Sequence, residues 1–140
     1  MIDVSLGKKT AFTKTIGLDL LGKLPIPNGL IDELIHVPPG TESETAVLHK
    51  KDQASLLLQL FKVSLPGKPL GAAAKPPNLG IFMMSFKVDN LTGAVNRLKD
   101  QNIPILAGPI ERQTGARGRT NAITVEGPDS ELIEMFETLS

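Results

Sequence analysis

Two short stretches carry the side chains that could do chemistry: "GIFMMSFKVDN", Gly80 to Asn90, and "ELIEMFE", Glu131 to Glu137. At the two-residue period of a strand, Phe82, Met84, Phe86 and Val88 share one face of the first stretch, and Ile81, Met83, Ser85 and Lys87 share the other. The former set is a core face. The latter mixes thioether, hydroxyl and ammonium groups, which suits the wall of a partly polar cavity as well as it suits solvent. In the second stretch Leu132, Glu134 and Phe136 alternate with Ile133 and Met135. A glutamate with apolar neighbours on its own face either points at water or is partly desolvated. In the second case it can serve as a weak general base or as a hydrogen-bond anchor for a ligand.

The remaining candidates are sparser. The histidines, His36 and His49, read as surface or satisfied imidazoles, with His49 the more open of the two. "TGARGRT" places two glycines and two arginines in a hairpin, but it lacks a phosphate-loop pattern, and Arg117 and Arg119 read as surface charges. The chain has no cysteine, which excludes disulfides, thiolate nucleophiles and zinc-thiolate clusters. Fifteen basic and fifteen acidic residues cancel without any run of one sign, so no field is built for nucleic acid or an anionic membrane. With no Trp, no Tyr and only five Phe, stacking of bases or sugars is poorly supplied. A soluble cytoplasmic protein with neither nucleic-acid nor membrane partners is the expectation.

The elements that must position these residues are clearest in the C-terminal half. After the strand at 80–88, Leu91, Ala94, Val95 and Leu98 recur at helical spacing behind the capping candidates Asp89 and Asn90. The helix ends near "KDQN", and Pro104 turns the chain into a strand at "IPILAGPI". Strands then follow at "RTNAITVE" and "ELIEMFE", with turns at "TGARGR" and "GPDS". The N-terminal half repeats the order less clearly. It reads as a short strand "MIDV", a weak helix "LGKKTAFTKTIG" stopped by Gly17, and strands "LDLLGKLPI", "GLIDELIHV" and "ETAVLHKK". "ASLLLQLFKV" is either a strand or a connecting helix, and the Pro- and Gly-rich residues 64–78 read as a linker. At 140 residues the chain is expected to be one domain, built of two units spanning about 1–63 and 79–140.

Two such units, with "FKVDNLTGAVNRLKDQNIPI" and "VEGPDSELIEMFE" in the second and "SLGKKTAFTKTIGLDLL" in the first, resemble the glyoxalase, bleomycin-resistance and extradiol-dioxygenase (vicinal oxygen chelate) superfamily. The resemblance implies an α+β fold in which two paired βαβββ units form a curved mixed sheet with a concave cup, commonly as a homodimer. In that family the cup holds a divalent metal. Here Met83 stands in the slot of the family's histidine ligand, and the chain barely reaches the position of the first-strand ligand. Only the carboxylate slot of the last strand is filled, by Glu134, with Gln59 or His49 as further candidates from the first unit.

A thioether replaces imidazole poorly in an oxygen-rich site, and one carboxylate does not hold a catalytic metal. The leading expectation is therefore a small-molecule-binding protein similar to the bleomycin-resistance branch, without cofactor and without catalytic residues. Its pocket would be lined by Met83, Ser85, Lys87, Leu132, Glu134 and Phe136, and its ligand would be a small apolar or aromatic molecule. The alternatives are a metal-dependent lyase or dioxygenase resembling glyoxalase I, using Glu134 with Gln59 or His49, and a degenerate assembly module.

Overall fold

A computed structural model describes residues 13–26, 32–51, 53–68, 71–74, 76–78, 80–81 and 83–140. The expected strand "MIDV", most of the first helix, and Phe82 lie outside the described residues. The chain divides into two compact units, one spanning Leu18–Lys68 and the other formed by the residues on either side of it.

The Leu18–Lys68 unit is a three-stranded antiparallel sheet of β1 (Asp19–Ile26), β2 (Ser43–Lys50) and β3 (Gln53–Val63), in that order. The ambiguous "ASLLLQLFKV" segment is therefore a strand. Phe61 and Val63 suit a pleated surface, and β2 supplies the ladder. "GLIDELIHV", expected as a strand, is not one where described: residues 32–36 are turns. The reason is Asp32. Its carbonyl accepts from the Val37 N–H at 3.0 Å and its Oδ2 accepts from the Gly40 N–H at 2.7 Å, so local bonds close the chain on itself before a ladder can form.

The second unit contains the strand-helix-strand-strand-strand order expected for the C-terminal half: β4 (Met83–Lys87), α1 (Leu91–Asp100), β5 (Ile105–Thr114), β6 (Gly118–Glu126) and β7 (Leu132–Thr138). These strands form a mixed sheet in the order β4-β7-β6-β5, with β4 parallel to β7 and the other pairs antiparallel. Residues 13–16 are helical and belong to this unit, where Arg97 Nη2 donates to the Thr15 carbonyl at 3.3 Å.

Helix α1 starts where the sequence allows it. Asn90 has extended backbone angles, and its Oδ1 accepts from the Gly93 N–H at 2.8 Å, a side-chain cap on an orphan donor. The Leu91 N–H finds its partner in Glu137 Oε2 of β7 at 2.9 Å, which fixes the helix start to the sheet. Leu91, Ala94 and Leu98 are buried, each leucine contributing about 1.5–3 kcal/mol of apolar transfer. Opposite them lie Ile123, Val125, Ile133 and Met135, all buried.

On the opening strand the alternation is as expected, but the depth is not. Val88 is buried, whereas Met84 and Phe86, expected to be fully buried, are half-buried. Among the described residues β4 has a ladder to β7 alone, so no described strand covers the other flank of these side chains.

Candidate functional site

The register of the second sheet sets the site. Met83 stands opposite Leu132, Ser85 opposite Glu134, and Lys87 opposite Phe136, so these six residues form three adjacent rows on the face turned away from α1. The rows continue across β6: Glu134 faces Thr124, and Phe136 faces Ala122. On β5, Ile110 stands opposite Ala122 and Arg112 opposite Thr120. Along β4, Met83, Ser85 and Lys87 are exposed, while Leu132 is half-buried and Glu134 and Phe136 are buried. The face thus has a buried floor along β7 and an open flank along β4.

Glu134 is the centre of this floor. Its side chain is 5% exposed, and Oε2 accepts from Arg112 Nη2 at 2.6 Å while Oε1 accepts from Arg117 Nη1 at 3.2 Å. Arg117 also lies over Phe136, its Cζ 4.3 Å from the ring centroid, so the ring face further stabilises the cation. A buried carboxylate is costly alone, and here the cost is met by two charge-assisted hydrogen bonds.

Arg117, read as a surface charge, is exposed but is also bonded to Glu134, and Arg112, not singled out in the sequence, provides the shorter bond to that carboxylate. Arg119 is a surface charge as expected, 3.1 Å from the equally exposed Glu111. What hid Arg112 is strand order: it sits on β5, two strands from β7, and reaches Glu134 across β6. The signal for Arg117 was present in the hairpin "TGARGRT", whose turn at 115–117 directs a long side chain back over the last strand.

The other candidate ligands lie in the Leu18–Lys68 unit. His49 on β2 is half-buried and Gln59 on β3 is exposed; His49 pairs with Leu57, and Gln59 with Val47 on the same face of that sheet. A divalent metal at Glu134 is a poor fit to the residues present. Both carboxylate oxygens are engaged by guanidinium groups, and Met83, opposite Leu132 in the next row, offers a soft thioether. Among the described residues no three His, Cys, Asp or Glu side chains are grouped as ligands.

No family model matches the sequence, and no curated protein matches it. Solved structures do. The chain has an α+β fold similar to that of glyoxalase-like structures. It is similar to a glyoxalase family protein from Bacillus cereus, with a TM-score of 0.78 at 19% identity over 97% of this chain and 88% of that one. A glyoxalase/dioxygenase from Nostoc punctiforme matches with a TM-score of 0.60 at 20% identity, over 99% of this chain and 86% of that one. TnmS3, an antibiotic binding protein from a Streptomyces species, matches with a TM-score of 0.57 at 16% identity, over 99% and 89%. Among the described residues no helix is long and apolar enough to cross a membrane.

Proposed function

We propose that this chain is a small-molecule-binding protein that works without a metal, its ligand held on the face of Met83, Ser85, Lys87, Leu132, Glu134 and Phe136. The observation that carries this reading is the double arginine clamp on Glu134. The carboxylate in the family's ligand slot is used to position two cations, and a metal would have to displace both before it could bind. Met83, Leu132 and Phe136 supply apolar surface, and Ser85 and Lys87 supply polar anchors, the usual mixture for recognising a small organic molecule. The likeness to TnmS3, described as an antibiotic binding protein, supports binding as a use of this fold. No residue is assigned a catalytic role. The active form is a homodimer, for which β4 and β5 are, among the described residues, the edge strands of the second sheet.

The test is metal content and response. Protein purified without chelator is expected to carry no stoichiometric transition metal, and its Tm is expected not to rise with Ni, Zn, Mn or Fe. A site at a hundredfold ligand excess over Kd would add about 2.7 kcal/mol of stability, well within detection. One metal per chain, lost on Glu134→Ala, would overturn the reading.

A further inference from the structure

We infer that the ligand of this face is an organic carboxylate, its anionic group taken by Arg112 and Arg117 and its apolar or aromatic body lying along the row from Ile110 to Lys87. The inference rests on the binding reading above and adds the ligand's charge.

Charge balance is the first argument. Arg112 and Arg117 converge on one carboxylate, and Lys87 stands on the same face in the row of Phe136. Among the described residues, Glu134 is the carboxylate that both arginines bond and that stands in the row next to Lys87. Glu126 is on this face too, in the row of Leu132 and Met83, but that row is about 13 Å along the strand from the row of Phe136. The whole chain is neutral, so this positive excess is local.

Donor geometry is the second. A guanidinium carries five N–H donors, and Glu134 engages one nitrogen of each arginine. Glu134 is at the floor, 5% exposed, whereas the two arginine side chains are 43% and 44% exposed. Donors that Glu134 does not use therefore remain within reach of an incoming group. Contact with Phe136 restrains the Arg117 guanidinium, which lowers the cost of holding it for a planar carboxylate. Thr120, opposite Arg112 on β6, is buried, and its Oγ1 has no hydrogen-bond partner among the described residues, a further polar atom on this face awaiting a partner.

The apolar part of the site is the third. Ile110, Ala122 and Phe136 stand in one row that ends in Lys87; Ala122 and Phe136 are its buried floor, and Ile110 and Lys87 are its exposed ends. Ile110 is 54% exposed on β5, which is an edge among the described strands, an apolar surface that a ring or aliphatic body would cover.

The experiment pairs 2-naphthoate with 2-naphthamide, within a broad panel of aromatic acids and their amides. Binding is followed by titration calorimetry and by the Nε–H resonances of Arg112 and Arg117. Naphthoate is expected to bind roughly tenfold or more tightly than its amide, as befits a charge-assisted hydrogen bond. It should shift both arginine resonances, and its preference should fall several-fold in Lys87→Gln, an exposed position whose replacement leaves the fold intact. Equal affinity of acid and amide, with the arginine resonances moving for both, would overturn the carboxylate inference and leave the binding face standing. An acid preference unchanged by Lys87→Gln would equally overturn the proposed seating. If no member of the panel moved either resonance, the binding face itself would fall.

Discussion

The two faces of the four-stranded sheet are made from the same strands and are held by opposite chemistry. Beneath α1, Ile123, Val125, Ile133 and Met135 are at most 4% exposed and pack by apolar contact. On the other face Glu134 and Thr120 are equally buried, yet Glu134 depends on two named partners and its surroundings open toward Met83, Ser85 and Lys87. Apolar burial is non-directional, so many side chains would serve beneath the helix. Charge burial is directional. The polar face is the one where a missing partner cannot be replaced by mere bulk.

The largest expected effect breaks the polar face. Arg112→Ala with Arg117→Ala leaves Glu134 buried and unpaired and should cost about 3–5 kcal/mol in urea unfolding. Adding Glu134→Leu to that pair should recover much of the loss, because an apolar replacement removes the stranded charge. Failure to recover would mean that the arginines act through packing. On the helix face, Met135→Ala should cost about 2–5 kcal/mol, and no second substitution on the polar face should compensate it. At the seam between helix and sheet, Asn90→Ala removes the cap of α1 and should cost about 1 kcal/mol, with increased amide exchange confined to the first turn. The smallest effect sharpens the contrast. Met83→His should change stability by less than about 0.5 kcal/mol, as for other exposed positions, while Met84→His, half-buried on the helix side, should cost more. Because the arginines still hold Glu134, Met83→His should also gain no stoichiometric metal binding, measured by elemental analysis.

The sequence made the helix face legible because its signal is local. Leu91, Ala94 and Leu98 announce their stripe by spacing, and Ile133 with Met135 by alternation. It also placed Met83, Ser85, Lys87, Leu132, Glu134 and Phe136 on common faces, since the strand period decides that before any partner is known. What it could not show was the clamp. Arg112 meets Glu134 across an intervening strand, and nothing in the chain order of Ile105–Thr114 states which strand lies two places away. Asp32 misled for the converse reason: "GLIDELIHV" has a strand-like composition, and a single carboxylate that bonds to the Gly40 N–H overrides it. The half-burial of Phe86 likewise depends on strand order, β4 having β7 as its one neighbour among the described strands, a tertiary fact.

Strand β7 serves both faces at once, with Glu134 and Phe136 turned to the arginines and Met135 and Glu137 turned to the helix. A slip by one residue would drive the Glu134 carboxylate beneath α1 and present Met135 to two guanidiniums, with the Leu91 N–H losing its acceptor. Neither side of the sheet would tolerate the exchange, and they would object for different reasons, one through solvation and the other through unmatched charge. The last segment of the chain is thus aligned by two independent checks, and a misaligned copy would fail both.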